Sequence, residues 1–292
     1  METVKKIAIA TDTNSGMMPR EHEAEGIFVL PMPFIVDGVS QLESVELSRD
    51  DFYEKLISDA DISTSQPSVG ELTEFWTEIL KTYDEVVHIP TSSVLSNSYA
   101  TALTLSKEFG GKVRVVDNRR ISIALKASVF DAVALREQGK SAEEIQTVLE
   151  DMRTDYSVYV SIETMKYLKK GGRVSPAAAA IGSMLKLRPV LRLCGDKLEK
   201  FALPRTLVKA KELMLKAILD DLAGKYKESL EKGEMRLCIA YANNAEDALV
   251  FREEVEKRIP NVPILWNDPI SLSIACHTGP QAISLSCMRI VK

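Results

Sequence analysis

The order of the apolar segments constrains the fold of this chain more than any other feature of its sequence. In the first half, apolar runs rich in β-branched residues lie at 4–12, 27–36, 85–90 and 112–118, and stretches with helical spacing of apolar residues separate them. Such runs are typical of strands. Repetition of strand, helix and strand predicts a parallel sheet that is covered by helices on both faces.

Helix start signals support this interpretation. A serine that is followed three residues later by a glutamate is typical of a capping box, in which each residue satisfies a backbone N–H at the start of a helix. Two such pairs occur, Ser68 with Glu71 and Ser141 with Glu144.

The pattern changes after Asp155, where five further strand-like segments are separated by helices of unequal length. An apolar stripe predicts one long helix, and its members are Leu207, Ala210, Met214, Ile218 and Leu222. We therefore predict an α/β fold of two domains. Residues 1–155 form a three-layer, Rossmann-like domain with a parallel sheet, residues 156–292 form a smaller α+β domain, and a ligand binds between the two.

Charge and hydropathy exclude several classes of protein. The chain has 37 basic and 42 acidic side chains, a formal charge of −5, and its Lys and Arg residues are scattered among acids. Binding of nucleic acid is therefore not expected, because it requires a basic stripe. The most apolar run, 176–185, is too short to span a bilayer and is followed by Lys186. The first twelve residues contain no signal-peptide core, so we expect a cytoplasmic protein.

Sites for metals and nucleotides are not indicated. The four cysteines, at 194, 238, 276 and 287, form no CxxC pair and lie in apolar segments, which predicts buried reduced thiols. The chain contains neither a GxGxxG motif nor a P-loop. We predict no metal and no cofactor.

Hydroxyl side chains collect where the predicted strands end. The segments TDTNSG (11–16), STSQPS (63–68) and TSSVLSNSY (91–99) each follow or approach such an end and are poor in acids. Ligands bind at the carboxyl ends of strands in open parallel sheets, often at helix N-termini. Serine and threonine are also common helix caps, which is our interpretation of Ser68. Thr64 and Ser96 are the better candidates for binding an anion.

Two further residues are placed for anion binding. Arg173 follows the glycine pair at 171–172, and a guanidinium presented by a glycine turn suits a carboxylate or a phosphate. The two lysines before the glycines are explained by a helix C-terminus. His277 is predicted to lie between a strand and a Gly-Pro turn, where it could donate to an anion, although a single histidine is more often structural.

Six short motifs extend in order over nearly the whole chain, namely TSQPS (64–68), SSxLS (92–96), VDN (116–118), LKKGGRVS (168–175), RPVL followed by a glycine (188–195) and HTGP (277–280). In this order they resemble the motifs of the DegV family. The resemblance implies a two-domain protein without catalytic machinery that binds one long-chain fatty acid. It further implies that the protein presents the carboxylate to the catalytic subunit of a fatty acid kinase, which forms an acyl phosphate.

The resemblance also implies roles for particular residues. Thr64, Ser96 and His277 would hold the carboxylate, with Ser65 and Ser93 as second choices. Arg173 and Arg205 would form the basic pair that faces the kinase subunit. The protein would have no transmembrane segment and would make at most transient contact with a membrane.

The sequence departs from the family pattern beside the proposed head group. Asn97 stands where the family usually has a glycine after LS, Asn118 ends VDN where the family reads VDS, and Gln281 replaces the glycine after HTGP. We expect Asn97 and Gln281 to affect the preference for an acyl chain more than binding itself. Chain length, unsaturation and oligomeric state are not indicated by the sequence.

The fatty acid tail requires apolar walls. Each buried methylene contributes up to roughly 0.8 kcal/mol before losses of entropy, and hydroxyls with an imidazole can satisfy the carboxylate. Residues 177–187 and the strand at 27–36 are candidates for the walls, although both are equally consistent with a plain core.

Two other functions fit parts of the sequence. An acyl hydrolase or transferase could use a serine with His277, and Asp12 or Asp117 could complete a triad, but no GxSxG motif occurs. A module that binds a sugar or a phosphate could use Arg173, and it would have a solvated pocket without a cavity of acyl length.

Overall fold

A computed structural model describes residues 5–43, 46–173, 187–194 and 197–292. Its strands are β1 (Ile7–Asp12), β2 (Ile27–Leu30), β3 (Pro33–Val36), β4 (Val39–Leu42), β5 (Ile62–Thr64), β6 (Glu85–Ile89), β7 (Val113–Val115), β8 (Tyr156–Ser161), β9 (Val190–Cys194), β10 (Lys197–Ala202), β11 (Met235–Tyr241), β12 (Ile264–Pro269) and β13 (Ile283–Arg289). Its α-helices are α1 (Arg49–Ile57), α2 (Val69–Ile79), α3 (Ser98–Ser106), α4 (Ile123–Glu137), α5 (Ala142–Asp151), α6 (Lys166–Gly171), α7 (Leu207–Ala223), α8 (Lys227–Glu231), α9 (Ala245–Arg258) and α10 (Leu272–Thr278).

The first half contains the predicted parallel sheet, with the strand order β2-β1-β6-β7. Side chains alternate across this sheet, so that Ile7 and Ile9 pack with α4 and α5 whereas Ala8 and Ala10 pack with α2 and α3. The capping boxes predicted at the starts of α2 and α5 are both present. The prediction of a parallel sheet that is covered on both faces is confirmed.

The predicted single strand at 27–36 is wrong, because the segment forms two strands in two different sheets. Strand β2 is the edge of the parallel sheet, whereas β3 is the centre of a small antiparallel sheet with the order β4-β3-β5. Pro31 and Pro33 lack the N–H groups that a continuous ladder requires, so the chain leaves the first sheet between them. The new direction brings β5, which ends at Thr64, beside the second half.

The second half forms a six-stranded sheet with the order β10-β9-β8-β13-β11-β12. Only the pair β11 and β12 is parallel within it, which agrees with the predicted α+β class. The long helix predicted from the apolar stripe is α7, and its buried positions include Ala210, Met214 and Ile218. The pattern analysis missed β10. The domain boundary near residue 155 stays a prediction, and β8 begins directly after it.

Buried contacts join the two halves. One apolar cluster includes Phe34 of β3, Ala127 of α4, Leu191 of β9 and Ala275 of α10, so a single core extends across both. Asp131 of α4 accepts a hydrogen bond of 2.8 Å from the backbone N–H of Val291, near the end of the chain. These contacts fix the relative position of the elements that surround the cavity described below.

Three of the predicted thiols, Cys238, Cys276 and Cys287, are buried and unpaired. Cys194 ends β9, and its side chain lies outside the described part of the molecule. Within the described ranges, none of the helices is long and apolar enough to cross a bilayer.

Candidate functional site

A cavity of about 460 Å³ lies where the parallel sheet, the three-stranded sheet and the six-stranded sheet approach one another. We call it the head-group cavity. Its wall includes residues that lie within two positions of the ends of β1, β5 and β6, as expected for the carboxyl ends of strands. The lining residues are Asn14, Met32, Thr64, Ser65, Gln66, Thr91, Leu95, Ser96, Asn97, Thr101, Ile121, Leu168, Arg173, Leu198, Ser273, Ile274, His277 and Thr278. Both halves of the chain therefore contribute to the wall.

Thr64 and His277 meet across this cavity. Thr64 is the last residue of β5, and His277 lies in the last turn of α10. Thr64 Oγ1 and His277 Nε2 are 3.0 Å apart, which is a hydrogen bond between residues 213 positions apart in the chain. His277 is thus on a helix, and the predicted position between a strand and a turn is wrong. The pattern analysis missed α10 because this helix has only 7 residues.

The imidazole of His277 is neutral at physiological pH. Burial and, to a smaller extent, the nearby positive charge of Arg173 lower the pKa of His277 to about 4. Only one of the two ring nitrogens of a neutral imidazole carries hydrogen. The cavity therefore offers a neutral donor at this position and not a fixed positive charge.

Arg173 supplies a positive charge at the solvent-facing side of the cavity. Its guanidinium donates to the carbonyl oxygen of Gly171, and its Nε lies 3.5 Å from the carbonyl oxygen of Leu95. The side chain is exposed and extends from the end of α6 towards the turn that follows β6. Gly172 makes this direction possible, because its φ of 68° is one that glycine adopts readily.

Ser96 and Ser65 are the other predicted head-group residues on the wall. Ser96 Oγ accepts from the N–H of Ser98, the first residue of α3, at 3.2 Å and is 2.7 Å from Ser98 Oγ, and Ser96 also lines the cavity. The hydroxyl of Ser65 donates to the carbonyl oxygen of Gln66. Ser93 and Arg205 are not on the wall, since Ser93 lies in the turn after β6 and Arg205 is exposed between β10 and α7.

Below the cavity, Asp12 holds the ends of β1 and β6 together. Its carboxylate accepts from the N–H and the hydroxyl of Thr91, both at 2.7 Å, and from the N–H of Asn14 at 3.0 Å. Burial raises the pKa of Asp12, although these hydrogen bonds oppose the shift. Because Thr91 directs its hydrogen to Asp12, it is poorly placed to donate to a ligand.

Helix α10 is anchored at its first turn. The hydroxyl of Ser271 donates to Asn14 Oδ1 at 3.1 Å, which links the helix to the loop after β1. The buried Glu43 accepts from the N–H of Leu272 at 2.7 Å, and Arg49 lies 3.7 Å from the same carboxylate oxygen. Burial raises the pKa of Glu43 to about 7, against the opposing effects of Leu272 and Arg49.

Several wall residues were not singled out by the sequence analysis. Asn14, Gln66 and Thr91 belong to the hydroxyl-rich segments at the strand ends, so their positions in the sequence indicated that they could line a site. Glu43, which anchors α10 but does not line the cavity, could not be identified from the sequence because its partner Leu272 is 229 residues away. Of the candidate walls for a tail, Met32 from 27–36 lines the cavity, whereas residues 177–186 lie outside the described part of the chain.

The family departures fit the local backbone. Asn97 has φ −76° and ψ −3°, which any residue adopts, so no glycine is required there. Gln281 has no positive φ either. Asn97 does line the head-group cavity, so its amide adds a polar group to the wall.

The geometry does not assemble a catalytic triad around His277. In a triad the second ring nitrogen donates to a carboxylate, but His277 Nδ1 has no hydrogen-bond partner among the described residues. Asp12 instead binds Thr91 and Asn14. The described residues also contain no group of three or more His, Cys, Asp or Glu side chains that could hold a metal ion.

Comparisons with known proteins agree on one family. A family model described as "Uncharacterised protein, DegV family" matches residues 6–289. A DegV domain-containing protein of Staphylococcus aureus (strain N315) is 30% identical over 288 residues, which cover 97% of this chain and 99% of that protein.

Solved structures agree with the sequence relatives. The fatty-acid-binding DegV family protein from Thermus thermophilus has a structure with a TM-score of 0.87 at 28% identity, covering 98% of this chain and 100% of that one. DegV of Bacillus subtilis, titled a fatty acid binding protein, has a TM-score of 0.82 at 28% identity, covering 98% and 99%. These likenesses confirm the predicted two-domain α/β class.

The buried carboxyl of Glu43 predicts a dependence of stability on pH. Its pKa in the folded protein, about 7, lies above its ordinary value of 4.5, so the folded state binds the proton more tightly. The stability contributed by this group is therefore present at low pH and is lost as pH rises from about 4.5 to about 7. We expect Glu43→Gln to gain roughly 2–3 kcal/mol relative to wild type between about pH 5 and about pH 8.

Urea unfolding of both proteins across this pH range measures the difference. Groups common to the two proteins cancel, and Glu54→Gln on the exposed face of α1 is the matched control. A difference between Glu43→Gln and wild type that does not change with pH would contradict the prediction.

Proposed function

This chain belongs to the DegV family, and from that premise we propose that it binds one long-chain fatty acid, with the carboxylate in the head-group cavity. Two DegV proteins of solved structure that are 28% identical to this chain are described as fatty acid binding proteins. The observation that carries the proposal is the hydrogen-bonded pair of Thr64 and His277 in the wall of this cavity. Ser96 completes the proposed set of carboxylate ligands.

The types of side chain in the wall favour the binding of an anion. Among the described lining residues there is no Asp or Glu, and the polar ones are hydroxyls, amides, His277 and Arg173. A carboxylate that is moved out of water needs hydrogen-bond donors, because a buried charge without partners is very unfavourable. Neutral donors meet that need without a buried salt bridge. The carboxylate then remains a nucleophile that a partner can use.

The apolar part of the same wall suits an acyl chain. Six lining side chains are apolar, namely Met32, Leu95, Ile121, Leu168, Leu198 and Ile274. Leu168 and Leu198 also belong to the core that joins the two halves. Each methylene that enters such an environment contributes up to roughly 0.8 kcal/mol. The volume of about 460 Å³ lies within the range of about 300–1,000 Å³ that is usual for small-molecule sites.

The finer part of the proposal is that the chain has no catalytic role of its own and presents the carboxylate to a separate fatty acid kinase subunit in the cytoplasm. The exposed guanidinium of Arg173 lies next to His277, where it would face a phosphate brought by the partner. The sequence contains no GxGxxG motif and no P-loop for ATP. Arg205, which is exposed and away from the cavity wall, is proposed as a contact for the partner alone.

Binding depends on the head-group residues if this proposal is right. We expect Thr64→Ala and His277→Ala each to weaken binding of a C16 or C18 fatty acid by about tenfold or more, because Thr64→Ala removes a donor to a charged group and His277→Ala removes the hydrogen-bond partner of Thr64. The double variant should lose less than the product of the single losses, since the two side chains share a hydrogen bond. Calorimetry with delipidated protein measures these affinities.

Matched controls are available in the same chain. Thr77→Ala removes an exposed hydroxyl on α2, and His22→Ala removes an imidazole that lies away from the cavity wall. Both should bind as wild type does. Wild-type affinity in Thr64→Ala and His277→Ala together would refute the head-group assignment.

Substitution of Arg173 tests phosphorylation of the fatty acid separately from its binding. Because its charge is exposed, we expect Arg173→Ala to lose no more than about fivefold in affinity for fatty acid. Formation of acyl phosphate with a fatty acid kinase subunit and ATP should fall by at least about a hundredfold, since a forked donor to the phosphate is missing. Lys169→Ala, which removes an exposed cation of α6, is the control. Equal turnover by Arg173→Ala and wild type would remove Arg173 from this role.

A further inference from the structure

Helices α6 and α10 contact each other through two glycines and two rings. The imidazole of His277 on α10 lies directly against Gly171, so that a Cβ added there would be 2.0 Å from Nδ1 and 2.7 Å from Cε1. In the reciprocal contact, the ring of Tyr167 on α6 lies against Gly279, where an added Cβ would be 2.6 Å from Cδ2. Each helix thus contributes a ring that packs on a glycine at the end of the other helix.

Only the imidazole requires a glycine at position 171. Gly172 and Gly279 have φ of 68° and 81°, which disfavour other residues at these positions. Gly171 ends α6 and has no positive φ, so its backbone would accept an alanine. An alanine methyl group would instead occupy the space of the His277 ring, and the ring would have to move.

The packing of the His277 ring against Gly171 also determines which ring nitrogen carries the hydrogen. His277 Nδ1 is buried and has no partner among the described residues. A buried N–H without an acceptor is less favourable than a buried lone pair without a donor, so the hydrogen belongs on Nε2. The Nε2–H group then donates to Thr64 Oγ1 at 3.0 Å. Because that oxygen accepts from His277, the hydroxyl hydrogen of Thr64 is free to point into the cavity.

We propose that Gly171 is the positioning residue of the head-group cavity. Because Gly171 has no side chain, the His277 ring packs against its Cα with Nε2–H directed towards Thr64, and this orientation makes Thr64 a donor to the ligand. The same residue also accepts from Arg173 through its carbonyl oxygen. One position therefore fixes the imidazole inside the cavity and the guanidinium at its edge. This inference rests on the proposed function only in naming the ligand as a fatty acid carboxylate.

Nitrogen-15 NMR of the imidazoles tests the inference on delipidated full-length protein. The chain has 3 histidines, and the signal of His277 is identified by its absence from His277→Ala. Wild type should show an unprotonated Nδ1 and a protonated Nε2, with a pKa near 4. In Gly171→Ala the displaced ring should show both tautomers, and its pKa should rise towards the ordinary value of about 6.5 because it becomes more exposed.

Gly70→Ala is the control, since Gly70 lies on α2 and an added Cβ there would meet no atom closer than 4.0 Å. It should leave the His277 signals unchanged. A protonated Nδ1 in the wild-type protein would overturn the inference, whether or not Gly171→Ala folds. Identical His277 spectra and titrations in Gly171→Ala and wild type would overturn it as well.

Affinity for fatty acid provides a second readout that separates this inference from the proposed function. Gly171→Ala should weaken binding by about tenfold in the wild-type background and should have no further effect in the His277→Ala background. Equal losses in both backgrounds would overturn the positioning role. Failure of wild type to bind fatty acid would refute the proposed function, whereas the NMR result would still decide the role of Gly171.

Discussion

The hydrogen bond between Thr64 and His277 is the contact on which the candidate site depends. It joins the last residue of β5 in the small sheet of the first half to α10 of the second half. Its formation requires that the chain leave the parallel sheet at Pro31, that β5 pair with β3, and that α10 be anchored through Ser271 and Glu43. The 3.0 Å contact is thus a result of the whole fold, and it places two neutral polar groups in one cavity wall.

Differences in burial determine which side chains of this site are neutral and which are charged. The pKa of His277 is lowered to about 4, so the ring remains a neutral donor, while Arg173 keeps its charge in contact with solvent. Asp12 is buried behind the wall and is bound by Thr91 and Asn14, so its carboxyl oxygens are surrounded by donors. A carboxylate in the cavity would therefore meet hydrogen-bond donors before it met a full charge. We propose that such an arrangement binds an anion and leaves it able to react.

Local patterns predicted the elements that depend on local interactions. The parallel sheet, the two capping boxes and the long helix α7 follow from periodicity and from side chains three residues apart. The strand ends, and hence Thr64 and Ser96, were found because hydroxyls collect there. Contacts between distant residues were not accessible in this way. Glu43 meets Leu272 from 229 positions away, and the need for glycine at 171 appears only when the His277 ring is placed beside it.

A crystal structure of the protein purified with its bound lipid would test the central claim most directly. The account predicts continuous density for an acyl chain, with one carboxylate in the head-group cavity, its oxygens within about 3.2 Å of Thr64 Oγ1 and Ser96 Oγ, and Thr64 still hydrogen-bonded to His277 Nε2. A cavity that contains only water after saturation with fatty acid would contradict the account. Density for a ligand whose carboxylate lies away from Thr64 and His277 would contradict it equally.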